Sequence, residues 1–493
     1  MNRAICIFLT CVVVTLSGCS TVKPTDPYHG SCSYSGRILT KDATVLEKVS
    51  SDTGKGQTQS STGVDNCFDY KNFLTDKHMT LDDVITIALK NNPELSAIEY
   101  EISVAQSIKA IASGQNKPVV DVYGGYLHYL NSQRIVQPSL NGKPGVFGDE
   151  ILSADIGMSL PLYTGGRISS QIQAAELIKQ STEHELARAK KELVFNISKV
   201  FYGVLAQRKV VESFVFSQKT LEEHLKRVLA LIKVYKGTKE DRLRTEVRIA
   251  DVEQRLVQEE NLLYIQLRLL TSMMGLNCPG KPVQPSGELI FNEKAIPEIR
   301  SAMKHAFQNR SDFQAACITL ESLGKKLDVA RSEWAGDVAL TGFYGGRWAA
   351  NSTDKPDGYS SFEDSGRIGI VFNVPIFDGG QIDGHIKEEQ SKLSTAQERL
   401  RRMELRVQLD VETSILNIQA AVRRIAATNK VVEQGIESLK IQKEKYSLGR
   451  GAIIDVLDAQ SALLDGQTNY YRALEAYSVA MAQHKLAIGT GLE

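Results

Sequence analysis

The side chains most often used in catalysis occur in this sequence without the spacing that catalysis needs. Its eight histidines are scattered, with no HExxH, no GxSxG and no phosphate-binding glycine loop along the 493 residues. His128 lies on a predicted strand, and His184 and His224 lie on long predicted helices, where a lone histidine usually packs or faces solvent. The sequence therefore predicts no enzyme, no catalytic residue, no cofactor and no metal site.

The N-terminus predicts export and attachment to lipid. Arg3 precedes an apolar run, Ile5 to Leu16, that is too short to span a bilayer as a helix. The run ends in Leu16-Ser17-Gly18-Cys19, which resembles the bacterial lipobox. We therefore expect residues 1–18 to be a signal peptide and Cys19 to be lipidated. The alternative is ordinary signal cleavage, with an incidental cysteine.

Two features beyond Cys19 extend this expectation. Ser20 follows the cysteine instead of the aspartate that retains many lipoproteins at the inner membrane, which favours the outer membrane. Residues 19–78 are rich in Ser, Thr, Gly and Asp and lack apolar periodicity, which predicts a flexible tether.

Export would place the remaining cysteines in an oxidising compartment. The most local pairing joins Cys32 to Cys67 and Cys278 to Cys317, and the alternative is free buried thiols. No Cys/His spacing typical of a metal site occurs.

The charge balance argues against nucleic acid as a partner. Lysine plus arginine and aspartate plus glutamate each total 58, so no global field attracts a polyanion. After the N-terminal signal no run approaches 18 apolar residues, and we expect no membrane-spanning helix.

The chain contains an internal duplication. Residues 88–95 align with residues 306–313, which lie 218 positions later, and residues 160–166 align with 374–380, which lie 214 positions later. We accordingly divide the chain into repeat 1 (79–276), a linker (277–296) and repeat 2 (297–493).

Each repeat contains two strand candidates. Every second residue is apolar in Leu152–Leu162 and in Ile368–Ile376, and most of the residues on the other face are polar or glycine. Looser alternation precedes each, at Val120–Leu130 and Val338–Trp348. Polar loops, Asn131 to Glu150 and Ala349 to Asp364, are expected to join each pair.

Helical patterns fill the rest of each repeat. A helix from about Leu81 to Ala112 is expected before the strands, and a long helix of roughly 100 Å at 1.5 Å per residue, Ile168 to Tyr235, after them. After a break near Gly237, a helix of about 35 residues returns to Met274. The second repeat has the same long arm, break and return helix, predicted as Ile382 to Tyr446, residues 449–452 and Ile453 to Ile488.

Four amphipathic strands are too few to close a barrel, because the smallest membrane barrels use about eight. Open sheet edges are unstable in lipid, since each unpaired backbone group there costs several kcal/mol. If these strands lie in a membrane, several chains must pool them. The alternative is a soluble sandwich or a pair of exposed hairpins.

Residues 81–95, the two Gly-Gly turns after the strands, and Tyr446-Ser447-Leu448-Gly449 followed by residues 454–459 resemble the TolC-type outer-membrane factors. The resemblance covers about residues 79–491. It implies a mainly α fold with four strands per chain, a homotrimer with a shared twelve-stranded outer-membrane β-barrel, and an α-helical barrel that crosses the periplasm. It also implies an exit duct of a tripartite efflux pump or a type I secretion system, with a periplasmic adaptor and an inner-membrane transporter as partners.

The resemblance also assigns candidate site residues at the turns between the helices. Tyr446 matches the family's gate tyrosine, Asp455 and Asp458 match acids that ring the pore constriction, and Asp241 is the counterpart in the first repeat. Without that assignment, Asp455 would be a helix N-cap and Asp458 a solvated first-turn acid. The expected turn residues are Gly165, Gly166, Gly379, Gly380, Gly237 and Gly449.

Two departures from the family's pattern concern the same turns. Gly451 stands where the family often has an arginine, and Arg450 comes one position early. The first turn, at Gly237, is expected to be two residues shorter than usual. The alternative function is a periplasmic adaptor or scaffold lipoprotein made of helical hairpins, without a channel.

Overall fold

The structure is a computed structural model that describes residues 79–136, 145–235, 237–276, 282–292, 298–350, 357–358 and 360–491. The predicted signal peptide, lipidated Cys19 and tether lie outside these residues, as do Cys32, Cys67 and Cys278. Cys317 is described and carries a free thiol, and the partner proposed for it, Cys278, is outside the described residues.

The segment before the first strand forms two helices, where the sequence predicted one. Helices α1 (Leu81–Asn91) and α2 (Pro93–Gly114) meet at Asn92. The amide of Pro93 cannot donate, and the Asn92 side chain accepts hydrogen bonds from the backbone N–H of Glu94 (2.9 Å) and Leu95 (3.3 Å). Proline at the first helical position with a capping asparagine before it starts a new helix.

The same break occurs in the second repeat, where helices α5 (Ile299–Asn309) and α6 (Ser311–Ser332) meet at Arg310. Each break is tied to the end of its own repeat's last helix. The Asn92 side-chain amide donates to the Met273 carbonyl (3.1 Å), and the Arg310 guanidinium donates to the Ala487 carbonyl (3.5 Å).

The strands form one antiparallel sheet of four, in sequence order. Its members are β1 (Val119–Arg134), β2 (Phe147–Tyr163), β3 (Asp337–Ala349) and β4 (Phe362–Asn373). The register aligns Tyr126, Leu152, Trp348 and Phe362 as direct partners, so these large side chains share one face. Asp155 and Arg347, which form an ion pair at 2.7 Å, lie on the opposite face.

The apolar face of the sheet is uncovered in the single chain. Val122 is 77%, Ile368 74% and Phe372 75% exposed, although all three are large apolar side chains. A sheet normally buries such a face against another layer, so this surface requires an apolar environment outside the chain.

Three strand boundaries differ clearly from the prediction. Strand β4 ends at Asn373, whereas the alternation predicted a strand through Ile376. Asn373 pairs with Asp337, the first residue of β3, so the residues after Asn373 have no partner backbone on β3. The expected loop from Asn131 to Glu150 is also shorter, because β1 continues through Arg134 and β2 begins at Phe147.

Two helical hairpins complete the fold, and they match in length residue for residue. Helices α3 (Arg167–Lys233) and α7 (Gln381–Ser447) have 67 residues each, about 100 Å at 1.5 Å per residue. Helices α4 (Lys239–Met273) and α8 (Ile453–Ala487) have 35 residues each. The unequal arms leave room beside the outer half of each long helix, and the shorter helices fill it: α2 packs on α3, and α6 packs on α3 and α7.

The core consists of apolar clusters spaced along the helices. One cluster joins α1, α3 and α4 through Val84, Ile197, Phe201 and Leu270. Another joins α3, α4 and α8 towards the helix–helix turns. Helix α8 packs against both α7 and α3 and so holds the two hairpins together. None of the helices in the described ranges has both the length and the apolar character that a membrane crossing requires.

Arg310 connects three helices of the second repeat from a buried position. Its side chain is 1% exposed and forms ion pairs with Asp312 of α6 (2.7 Å) and Asp410 of α7 (2.9 Å). Its bond to the Ala487 carbonyl reaches the end of α8. A buried guanidinium is tolerated only when its donors are satisfied, as they are here.

We expect Arg310→Ala to lower the free energy of unfolding by about 3–5 kcal/mol, because it leaves two partly buried carboxylates without their cation. Arg401→Ala is the matched control, since the Arg401–Glu398 pair is 3.9 Å long and both side chains are at least 74% exposed. The control should change the free energy by at most about 0.5 kcal/mol. Urea titration in detergent, followed by circular dichroism, measures both. Equal effects of the two substitutions would contradict a structural role for Arg310.

Candidate functional site: the helix–helix turns

The candidate site lies where each hairpin turns. We call residues 234–238 tip 1 and residues 448–452 tip 2. Both tips have five residues, and every position of tip 2 lies 214 residues after its counterpart in tip 1. The expectation of a shorter first turn is therefore wrong, and Asp241 is the positional equivalent of Asp455.

The two tips have the same backbone conformation at one pair of equivalent positions, although the residue types there differ. Tyr235 has φ 58° and Gly449 has φ 71°, and these residues occupy equivalent positions. The left-handed region suits glycine and is costly for tyrosine, because the tyrosine Cβ crowds the backbone. Tyr235 is 98% exposed, so no described neighbour compensates for that strain by packing on its ring.

Gly237 is the positional equivalent of Gly451. It is not the equivalent of Gly449, although the sequence predicts Gly237 and Gly449 as the turn glycines of the two hairpins. A Cβ on Gly237 would lie 3.0 Å from the backbone nitrogen of Ile232, and a Cβ on Gly451 would lie 3.3 Å from that of Tyr446. Glycine at these positions permits the turn to fold closely back onto the end of the long helix.

Asp241 and Asp455 begin the return helices in the same way. Each is the third residue of its helix and accepts a hydrogen bond from the N–H of the N-cap residue, Thr238 or Ala452, at 3.3 Å. In tip 1 the Thr238 hydroxyl also accepts from the Asp241 N–H at 3.1 Å, which completes a capping box. The N-cap of α8 is thus Ala452, and the interpretation of Asp455 as the N-cap is wrong by three positions.

Asp455 and Asp458 are both exposed. Asp458 is the sixth residue of α8, beyond the first turn, and neither acid forms an ion pair with a described residue. Asp455 has one hydrogen bond to the N-cap backbone. Both carboxylates are free to present charge to solvent.

The structure brings Tyr446 and Asp241 together. Burial raises the pKa of the Tyr446 hydroxyl, and the negative charge of Asp241 raises it further. Both residues line a cleft of about 600 Å³ between the tips, together with Leu231, Leu448 and Ile454. Asp455 and Asp458 do not line that cleft. The four candidate residues thus form two groups, one between the tips and one on the exposed start of α8.

Sequence reasoning missed His224 as part of this region. The ring of His224, on α3, lies 5.4 Å from the Tyr446 ring between centroids, and the side chain is only 7% exposed. Leu221 and Val228 lie on the same face of α3 and are fully buried. That spacing of three and four residues was the available signal that His224 faces the core.

The two Gly-Gly turns at the other end of the long helices have a left-handed backbone conformation. Gly165, Gly166, Gly379 and Gly380 all have φ between 60° and 86°. In repeat 2 the Asp378 carboxylate accepts hydrogen bonds from the Gly380 and Ile382 N–H groups, which lowers the pKa of Asp378. These turns redirect the chain from the sheet into the start of each long helix.

Comparison with known proteins fits this architecture. The family model of the outer membrane efflux proteins matches residues 84–276 and 302–490. The outer membrane protein TolC of Vibrio cholerae is 23% identical over 418 residues, which cover 83% of this chain and 90% of that protein. TolC of Salmonella enteritidis is 32% identical, but the match spans only 124 residues, a quarter of each chain.

The fold also resembles a solved channel structure. The Campylobacter jejuni CmeC outer membrane channel superimposes with a TM-score of 0.71, at 16% identity, over 92% of this chain and 94% of that one. Two hairpins of long helices joined to a four-stranded sheet are thus a fold that this chain shares with a solved outer membrane channel. The chain belongs to the outer membrane efflux protein family.

We expect Gly449→Ala to destabilise tip 2 by about 1 kcal/mol, because the added Cβ disfavours the left-handed backbone. Gly384→Ala is the control, since Gly384 lies within α7 and a Cβ there meets nothing within 4 Å in the chain. That substitution should stabilise the helix by up to about 1 kcal/mol. Urea titration again measures both. If Gly384→Ala destabilised the protein and Gly449→Ala did not, the argument from the left-handed backbone at Gly449 would be contradicted.

Proposed function

We propose that this protein is the outer-membrane exit duct of a tripartite efflux pump or a type I secretion system. The observation that carries the proposal is the family match across both repeats, on a chain that joins an apolar-faced sheet to two ~100 Å hairpins. Helices of that length suit the crossing of an aqueous compartment. An adaptor with a single hairpin has no use for a second hairpin and four strands.

The duct is a homotrimer. In one chain β1 and β4 each pair on one edge only, within the described sheet. Three copies placed around an axis can join β4 of one chain to β1 of the next, which gives twelve strands and satisfies the remaining backbone groups. The exposed apolar face then contacts lipid, and the face with Asp155 and Arg347 faces the pore.

The hairpins extend from this barrel into the periplasm, and the tips lie at the far end. There the duct meets a periplasmic adaptor and, through it, an inner-membrane transporter that supplies the cargo. Cys19 adds a lipid anchor in the outer membrane, in line with the lipobox-like segment that contains it.

The tips close the duct. Tyr446 and Asp241 hold tip 2 against tip 1, since both line the cleft between the tips. Asp455 and Asp458 face the pore, where three chains place six carboxylates in a ring that concentrates cations and repels anions. Capping by Asp455 is compatible with this role, because its single hydrogen bond leaves acceptor capacity free.

The oligomer gives the first test. The protein purified from outer membranes in detergent should have the mass of a trimer, because an isolated sheet with two open edges is unstable in lipid. Light scattering of the detergent complex, corrected for bound detergent, measures the protein mass. A monomer released from membranes without detergent would contradict the duct and favour the adaptor alternative.

Ion selectivity gives the second test. In planar bilayers we expect the Asp455→Asn, Asp458→Asn double variant to lose about half or more of its cation preference, measured as the reversal potential in a salt gradient, because the carboxylate ring is the selective element. Asparagine keeps the acceptor that caps α8. Glu412→Gln, on the exposed surface of α7 about 50 Å from the tip at 1.5 Å per residue, is the control. Unchanged selectivity in the double variant would indicate that the two acids serve only the helix.

A further inference from the structure

We propose that His224 and Tyr446 form a pH-sensitive latch that holds the tip of the second hairpin against the first and releases it when His224 is protonated. The latch rests on the proposed function as a duct, because it controls the closed state of that duct. It is distinct from the cleft between the tips, which Tyr446 lines together with Asp241.

The geometry of the contact is that of a packed core. The two rings lie 5.4 Å apart between centroids and are tilted by 53°. His224 comes from α3 and Tyr446 from the last turn of α7, so the contact joins the two hairpins within one chain. Leu221 and Val228, on either side of His224 along α3, pack in the same cluster as Ile453 and Leu457 of α8 and Val252 of α4.

The site accepts neutral histidine and opposes its cation. The Nε2 atom of His224 is buried and has no hydrogen-bond partner among the described residues. A protonated ring would carry a second N–H donor and a full charge into this apolar cluster, with no acceptor at Nε2.

The charged neighbours of His224 also lower its pKa on balance. Burial lowers the pKa of His224, and the positive charges of Lys443 on α7 and Arg227 on α3 lower it further. Asp241 on α4 acts in the opposite direction and is the weakest of these influences. From α8 the neighbours in the cluster are the apolar Ile453 and Leu457. The packed state therefore binds the proton less well than the released state.

This difference fixes the direction of the pH response. Because the pKa of His224 is lowered in the packed state, the latch has its full stability above the pKa of free histidine, about 6.5. Below that value the released state binds more protons than the packed state. The latch therefore weakens as the pH falls from about 6.5 towards the lowered pKa of His224 in the packed state. The packed, closed state is favoured at neutral pH and the released state at acidic pH.

The internal duplication provides a built-in comparison. The positions 214 residues from His224 and Tyr446 are Ser438 and Ile232, neither of which titrates in this range. Although the two hairpins match in helix and turn length, only the pair of His224 and Tyr446 can respond to pH in this range. In a trimer the latch would occur three times, once in each chain.

Conductance of the purified full-length protein in planar bilayers tests the proposal. We expect the open probability to rise between pH 7.5 and pH 5.5, by up to about tenfold for each of the three latches that must release, since one pH unit below 6.5 corresponds to one tenfold step per titrating group. His224→Phe keeps an aromatic ring against Tyr446 and should abolish the response. His184→Phe, on the same helix, is the control and should retain it. A His224→Phe channel with the wild-type pH response would overturn the latch.

A second variant separates titration from packing. Lys443→Gln removes a positive charge that opposes protonation of His224, so the midpoint of the response should move to higher pH. If His224 only packed against Tyr446 and did not titrate, removing the charge of Lys443 would not shift the midpoint. An unchanged midpoint in Lys443→Gln would contradict the role assigned to the charged neighbours.

Hydrogen exchange measured by mass spectrometry distinguishes failure of the latch from failure of the duct. After correction for the intrinsic pH dependence of exchange, amides of peptides from residues 441–451 should exchange faster at pH 5.5 in the wild type and not in His224→Phe. If the protein shows this difference but conducts at neither pH, the duct proposal fails, and only the pH-dependent contact between His224 and Tyr446 is supported. Conductance without any pH dependence in exchange or opening refutes the latch alone.

Discussion

Among the described residues the outer edges of β1 and β4 have no partner strand, and this is the constraint from which the rest of the structure follows. A backbone amide or carbonyl without a partner costs several kcal/mol in lipid, and one strand edge presents a whole row of them. The apolar face of the same sheet is exposed, with Val122 and Ile368 more than 70% accessible. The chain therefore has a surface suited to lipid but cannot enter lipid alone, and its architecture is that of a subunit.

The internal duplication determines what each chain contributes to such an assembly. Each repeat supplies one strand pair and one helical hairpin, and the hairpins agree in length to the residue, with arms of 67 and 35 residues in both. Equal arms place each tip the same number of residues from the start of its long helix. Within that symmetric backbone the side chains are free to differ: Tyr235 faces solvent where Gly449 turns, and Ser438 replaces His224. The backbone brings the two tips together, and the side chains determine whether the contact between them responds to pH.

Much of this was readable from the sequence, and the misses have specific causes. Alternation located all four strands, but β4 ends at Asn373 because pairing stops where β3 begins, and periodicity carries no information about the partner strand. The predicted first helix breaks at Asn92, because Asn92 caps a new helix that Pro93 begins, and apolar periodicity continues across that break. The prediction of a short first turn fails because the equivalent of Gly237 is Gly451 and not Gly449.

By itself the sequence determined the duplication, the amphipathic strands, the long uninterrupted helices and the candidate acids, because each is a local pattern of residue type along the chain. Only the tertiary structure decided which residues meet. Asp241 lies beside Tyr446, from which it is about 200 positions away, while Asp455, nine positions away, does not share their cleft. The physical reason is that two ~100 Å helices return the chain to one point, so proximity at the tips depends on helix length and register and not on separation in sequence.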